Sequence, residues 1–290
     1  MGKIFLLAAL CGLLWEIPAN SQESPYFVTY SHQLEEPGNL EIATATTVGV
    51  PRNTQRSFVA PWLELEYGVL GRWTSELYLE GQGTAGSGAL FTGWRFENRV
   101  RPLLREHAVN PVLYLEYEDI SEADKIAKEI VGHAPDLVSP NSVLRQSHAH
   151  ELEGKLILSS NARDWNFSEN FIAEKNFSAN EGFEFGYALG VSRPLASLAT
   201  GRECRFCREN FQSGLELYGG LGSTQDLSLS GTAHYLAPVL SWNFAGNQTL
   251  RFSPGFGLTD QSARVLLRFG YSYEVRGVGK KLTQLIRGKR

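Results

Sequence analysis

The sequence predicts an all-β protein, a transmembrane antiparallel β-barrel of about twelve strands. Three observations predict it. Apolar and polar residues alternate over segments of ten to fourteen residues, the polar faces of these segments are rich in glycine and charge, and the first residues have the pattern of a secretory leader. A period of two gives each strand one apolar and one polar face. Membrane-crossing strands need about 9 to 11 residues, more than most strands of soluble proteins. The alternative is a secreted β-domain with its apolar faces turned inward.

Composition excludes several other classes. The 290 residues fit one large domain or two ordinary ones. With 27 Lys and Arg against 31 Asp and Glu, the net charge of −4 excludes a strongly basic nucleic-acid binder. A hydrophobic share of 42% with 11% aromatics excludes a disordered chain. Beyond the leader, no apolar run is long enough for a membrane-spanning helix.

The leader covers residues 1–21. Lys3 is followed by the apolar stretch 4–15, and Ala19 and Ser21 are small residues before a cleavage point. This pattern is typical of a signal peptide, although a buried helix is the alternative. We expect residues 22–38 to lead into the barrel from the periplasm.

The barrel is expected to occupy residues 39–275. In its last strand, Val265, Leu267 and Phe269 alternate with polar and small residues. Segments of this kind predict strands at 39–50, 57–69, 72–82, 88–101, 111–120, 149–159, 163–175, 181–193, 211–221, 232–243, 248–258 and 262–275.

The loop lengths predict an orientation. With both barrel ends in the periplasm, the longest connection, 121–148, is external, as is usual for outer-membrane barrels. The long connection 194–210 is then periplasmic. It carries Cys204 and Cys207, which in an exported protein predict a disulfide, with a metal or redox site as the alternative.

Charged residues mark the predicted lumen face. Two interpretations stay open: a pore that sorts solutes by charge, or a narrow interior filled by ion pairs between neighbouring strands. The residues expected to line the lumen are Glu64, Glu66, Glu76, Glu80, Arg95, Glu97, Arg99, Arg101, Glu116, Glu118, Glu151, Glu153, Arg251, Arg264 and Arg268.

The external loop offers two further features. Ile126, Ile130 and Val131 have helical spacing after Ser121, which predicts a short helix over the barrel mouth. Histidines in and beside the loop could chelate a metal, but ordinary polar loop residues are the favoured interpretation. These residues are His133, His148, His150 and Glu151.

The sequence predicts no enzyme, cofactor or metal centre. It contains no Gly-x-Ser-x-Gly motif, zinc motif or phosphate-binding loop. Ser147 and His148 are adjacent, and adjacent strand residues point in opposite directions. A serine–histidine pair is therefore not formed there.

Four short segments carry a family resemblance: Glu216–Gly222, Tyr235–Pro238, Pro254–Leu258 and Leu267–Gly270. They are similar to segments of the outer-membrane barrels grouped as phenol-degradation-pathway (MetA-type) proteins of Gram-negative bacteria. The resemblance implies an outer-membrane barrel and a channel for small molecules, hydrophobic ones among them. It brings no catalytic residues. Many such barrels end in an aromatic residue, whereas this chain continues into a basic tail.

That tail, residues 276–290, has six basic and no acidic residues. Leu282, Leu285 and Ile286 share one helical face, so the tail is expected either to lie as an amphipathic helix on anionic headgroups or to be solvated. Altogether the sequence predicts an outer-membrane barrel of a Gram-negative bacterium, in contact with membrane lipid, that passes a small solute. The alternative function is a non-conducting structural or surface-interaction barrel whose lumen is closed by charge pairs.

Overall fold

Twelve antiparallel strands form one closed barrel in the described part of the chain. The structure is a computed structural model that describes residues 24–126, 130–180, 182–196, 206–244 and 247–280. A short helix, α1 (Asn141–Leu144), lies in the longest loop. No helix among these residues is long and apolar enough to span a membrane. The strands are β1 (Leu40–Val50), β2 (Phe58–Leu70), β3 (Trp73–Thr84), β4 (Gly88–Val100), β5 (Asn110–Ser121), β6 (His148–Ala162), β7 (Trp165–Asn176), β8 (Glu184–Pro194), β9 (Phe211–Ser223), β10 (His234–Phe244), β11 (Gln248–Gly257) and β12 (Val265–Val275).

The barrel closes without a free edge. Every strand pairs with its neighbours in sequence, and β12 pairs with β1 from Val50↔Val265 to Leu40↔Val275. All twelve predicted strands are confirmed, with ends that agree within three residues. The larger differences, such as β8 beginning at Glu184 rather than at residue 181, arise because alternation in the sequence continues past the last paired residue.

The wall is apolar outside and polar inside. Phe171 is 52% and Phe269 50% exposed, whereas Glu97 and Glu116 on the inner face are fully buried. This is the reverse of a soluble barrel, and it follows directly from the alternation, since one face of each strand must meet lipid.

The two ends of the barrel differ. At the turn end, β2 and β3 are joined by residues 71–72 and β6 and β7 by residues 163–164. Aromatic residues collect there: Trp73 and Trp165 begin their strands, and Trp242 lies two residues before its strand ends. Such a belt matches the headgroup level of a membrane. The opposite end, which carries residues 122–147, is the loop end.

The helix predicted over the barrel mouth is wrong for the residues described there. Ser121 is the last residue of β5 and pairs with His148, and the described loop has no helix before α1. Val131 instead bridges to Gly186, and Gly132 to Gly222. The apolar side chains turn inward because the interior offers an apolar surface for them.

Candidate functional site

The barrel lumen contains most of the predicted charged residues. Arg264 is different: it precedes β12 and is exposed at the loop end. Arg101 follows β4 and is half-buried at the turn end. The remaining members lie on inward-facing strand positions, which are Glu64, Glu66, Glu76, Glu80, Arg95, Glu97, Arg99, Glu116, Glu118, Glu151, Glu153, Arg251 and Arg268.

Two arginines on β4 tie together the acids of the neighbouring strands. The Arg99 guanidinium lies 2.7 Å from a Glu66 oxygen and 2.9 Å from a Glu97 oxygen, and its Nε donates to Glu76 at 2.7 Å. All four side chains lie inside the barrel, where ionic hydrogen bonds are strong and an uncompensated charge is costly.

Arg95 forms the second part of this network. Its guanidinium lies 2.7 Å from Glu80 and 3.1 Å from Glu116, and it stacks over the Tyr78 ring at 4.4 Å. Together the two arginines connect β2, β3, β4 and β5 across the inner wall, which supports the interpretation that ion pairs fill this side of the lumen.

Beside the arginines, Lys155 on β6 is buried among acids and rings. Its Nζ lies 2.8 Å from Glu153 and 4.1 Å from the centre of the Tyr114 ring. Ammonium groups are attracted to aromatic faces at such distances. Lys155 therefore belongs to the charged wall.

Acids outnumber bases on this wall. Two groups of three buried carboxylates have oxygens within 4.8 Å of one another, a spacing that a divalent cation or shared protons can bridge. The groups are Glu116, Glu118 and Glu153, and Glu118, Glu151 and Glu174.

The opposite wall is apolar. Tyr218, Tyr235 and Leu266 are almost fully buried there, and the two tyrosine rings stack with centroids 5.4 Å apart. The lumen thus has a charged side on β2–β7 and an apolar side on β8–β12.

A segment that precedes the barrel runs between these walls. We call residues 24–34 the lumen segment. The Glu216 carboxylate on β9 accepts three consecutive backbone N–H groups, from Phe27 at 3.2 Å, Val28 at 2.9 Å and Thr29 at 2.7 Å. Hydrogen bonds to a charged acceptor are each worth about 1.5–3 kcal/mol. Residues 22–38 were expected to be a periplasmic lead-in, but the structure places 24–34 inside the barrel.

Tyr30 holds the same segment against the charged wall. Its backbone N–H donates to Asn170 Oδ1 at 2.6 Å, and the Asn170 amide donates back to its carbonyl at 2.9 Å. The Tyr30 hydroxyl donates to Glu97 at 2.9 Å, and its ring faces Arg99 at 4.9 Å. Side chains of the wall thereby satisfy the backbone of a segment that has no strand partner.

The lumen segment makes a U-turn inside the barrel. Tyr26 and His32 both bond to residues near the turn end, Asn166 at 3.1 Å and Ser159 at 2.8 Å. Val28 at the bend lies deeper, in the apolar cluster. The segment enters and leaves by the same end.

The external loop meets the segment from the other side. Ile126 and Ile130 pack against the cluster that contains Val28. Lys125 Nζ donates to the Asp136 carbonyl at 2.6 Å, and burial lowers the pKa of this amine. The lumen is therefore occupied from both ends.

Two small cavities remain beside the segment. One, of about 130 Å³, is lined by Glu64, Glu66 and Arg99, and the other, of about 100 Å³, by Trp62, Lys155 and Arg268. Phe27 and Tyr30 line both, so the segment separates the space into two chambers.

The other predicted sites lie outside the lumen. Cys207 is disulfide-bonded, and Cys204, its expected partner, lies outside the described residues. His148 and His150 are exposed, with Nδ1 atoms 3.4 and 3.7 Å from Asp119. His133 is exposed near Asp226, so it is not joined to that pair. Residues 1–21 and the end of the basic tail are likewise not described.

Several lumen residues were missed from the sequence. Lys155 shares the inward period of Glu151 and Glu153, so alternation alone could have found it. Glu216 and Asn170 have the same inward signal on β9 and β7. No periodic signal exists for the lumen segment, because it is not a strand.

The chain was compared with known proteins. No protein-family model matches it, and no curated protein does. Among solved structures, the COG4313 outer membrane channel from Pseudomonas putida F1 is 11% identical, with coverage of 88% of this chain and 100% of that one and a TM-score of 0.55. The KdgM porin is 9% identical over 81% and 98% of the chains, TM-score 0.49, and the NanC porin 11% identical over 81% and 100%, TM-score 0.48.

The likeness to the channel from Pseudomonas putida establishes a shared fold. Our prediction of an outer-membrane type of barrel is thereby confirmed at the level of architecture. The MetA-type resemblance stays a prediction, since no family model supports it.

Proposed function

We propose that the chain is an outer-membrane channel for a small solute, closed at rest by its lumen segment. The observation that carries the proposal is the bonding of residues 24–34 inside a barrel whose wall is complete without them. A permanently filled barrel needs no separate segment in its interior.

The manner of closure supports a reversible state. The segment is held by side chains of the wall, among them Glu216 and Asn170, and it has no rung in the strand ladders. Its release therefore breaks side-chain contacts while every wall hydrogen bond survives. Elements that open and close are drawn from such less stable parts of a fold.

A second function has its own support. The ion pairs of Arg95 and Arg99 join four strands across the charged wall, as a barrel with a structural or surface-interaction role would need. In that case removal of the segment would leave the interior closed by charge pairs. The channel is preferred because two chambers persist beside the segment.

The location follows from the surface. Its apolar exterior with an aromatic belt at the turn end suits a bilayer, and a closed barrel leaves no backbone group unpaired at a sheet edge. We propose the outer membrane of a Gram-negative bacterium, where the solute remains to be identified. Catalysis is not proposed for any lumen residue.

The test combines location with conduction. Cell fractionation should recover the protein with the outer membrane, and unboiled protein should migrate anomalously on a detergent gel. Proteoliposomes should then swell in small neutral sugars once the segment is displaced. Recovery as a soluble periplasmic protein would overturn the membrane assignment, and folded barrels that never admit solute would favour the structural role.

A further inference from the structure

The ladder between β10 and β11 is interrupted within both strands. Pairing runs from Tyr235↔Gly257 to Leu236↔Phe256 and resumes at Leu240↔Phe252, and the three positions between are unpaired in the described ladder. The register is the same on both sides of the gap, so no residue is inserted. Pro238 therefore lies opposite Pro254.

Two facing prolines explain the gap. Neither has an N–H, and opposite residues in an antiparallel pair either exchange two N–H···O bonds or lie between such pairs. Loss of both bonds at one exchanging pair removes that pair and its two neighbours, which is the observed extent. Proline is normally confined to edge strands, so a facing pair inside a closed wall is unusual.

The rest of the wall is continuous around this point. Pro238 pairs with Leu215 on β9, and Pro254 with Leu267 on β12. One freed acceptor has a local donor, since Ser253 Oγ donates to the Pro238 carbonyl at 2.9 Å. The interruption is thus confined to one seam, defined as residues 237–239 and 253–255.

On the lumen side, the Tyr218 ring covers the seam. A Cβ placed on Gly255 would lie 3.2 Å from the Tyr218 hydroxyl and 3.8 Å from Ala237 Cβ. The Arg268 guanidinium donates to that hydroxyl. Arg268 also lines the 100 Å³ chamber beside the lumen segment. The Tyr218–Arg268 pair therefore separates this chamber from the seam.

The outer rim of the seam is apolar. Leu240, Phe252 and Phe256 are each 39–48% exposed on the outer face around the two prolines. Within the barrel, Tyr218 and Leu266 belong to the apolar cluster. A molecule that crosses here meets apolar groups on both sides of the wall.

We propose that the seam is a lateral portal through which a small apolar molecule passes between the chamber and the surrounding lipid. The proposal rests on the proposed channel function. Opening at this position requires displacement of the Tyr218–Arg268 pair but breaks no backbone hydrogen bond between β10 and β11, since the wall has none there. At any regular position, separation of two strands would leave N–H and C=O groups unpaired in lipid, at a cost of several kcal/mol each.

A disulfide across the seam tests the portal. Val239 faces Ser253 on the lumen side, so Val239→Cys with Ser253→Cys can close the seam with a bond of ordinary geometry. The matched control is Ala43→Cys with Ser272→Cys, a facing buried pair on the regular β1–β12 ladder. The full chain is expressed in Gram-negative cells, and the probe is 1-N-phenylnaphthylamine, which fluoresces on entering membrane lipid.

Oxidation of the seam pair should slow probe entry at least about fivefold, and reduction should restore it, because a disulfide fixes the two strands at bonding distance. The oxidised control pair should stay within about twofold of the wild-type rate. An unchanged rate in the oxidised seam variant, or an equal loss in the control, overturns the portal.

A second variant guards against a trivial effect of the disulfide. Pro238→Val with Pro254→Val supplies the two absent N–H groups and should also slow probe entry, while heat resistance on detergent gels stays equal or rises. Faster entry would contradict the portal. Liposome swelling with sugars reads the proposed function separately: barrels that admit sugars but show no effect at the seam refute the portal alone, and barrels that admit neither probe refute both.

Discussion

The Glu216 carboxylate on β9 accepts the backbone N–H of Thr29 at 2.7 Å, although the two residues are 187 positions apart. An acid of the wall thus fixes a segment that precedes the first strand. The same carboxylate binds two further N–H groups, so the lumen segment is anchored largely at one side chain. The proposed closed state depends on this contact.

Glu216→Ala should release the lumen segment. The change removes three hydrogen bonds to a charged group, each worth about 1.5–3 kcal/mol, while the β9 ladder is unaffected. Single-channel recordings should show a higher open fraction than in the wild type. Glu118→Ala, which removes another buried lumen carboxylate, is the control and should leave the open fraction unchanged. Equal effects of both variants would argue against the anchor.

Gly190 provides the space for the same segment. A Cβ at this position would lie 2.8 Å from Tyr26 Cζ and 2.9 Å from Thr29 Cγ2. Gly190→Val should therefore displace the segment and make Tyr26, Phe27 and Tyr30 more accessible to chymotrypsin in the folded protein. At Gly154 a Cβ would meet only ordinary contacts, the shortest at 3.9 Å, so Gly154→Val is the matched control. Resistance to chymotrypsin in both variants would refute the close approach.

Arg99→Met tests whether the charged wall is a packed network. The change leaves Glu66, Glu76 and Glu97 without their shared partner, at a cost of about 3–5 kcal/mol. Folding yield and the urea midpoint should both fall. Arg264→Met, at the exposed loop end, should shift stability by no more than about 0.5 kcal/mol. A stable Arg99→Met barrel with a changed reversal potential would instead indicate an open pore that sorts ions.

Deletion of residues 276–290 should leave the barrel folded. The last strand is complete at Val275, and only two described backbone bonds are lost, from Gly277 to Asn39 and from Gly279 to Gly38. Heat-modifiable migration should persist. A peptide of the deleted residues should bind anionic vesicles and dissociate at high salt, since each base near an anionic surface contributes about 1 kcal/mol. Failure of the shortened chain to assemble would make the tail part of the insertion signal.

The sequence predicted the wall well and its contents poorly, for a physical reason. Alternation such as that of Val265, Leu267 and Phe269 is imposed on every strand by lipid outside and a polar lumen inside, so it is visible residue by residue. Nothing comparable constrains the lumen segment, whose backbone is satisfied by single side chains such as Glu216 and Asn170. Ile126 and Ile130 had helical spacing, yet the apolar cluster inside the barrel determined their position.

The most direct test of the account is the conductance of two chains in planar bilayers: the full chain and one that lacks residues 24–34. Both must first migrate as folded barrels on unboiled gels. We predict that the full chain is mostly closed, with brief openings, and that the shortened chain conducts steadily. A folded shortened chain as silent as the full one would contradict the account, because the ion pairs of the charged wall would then close the lumen by themselves.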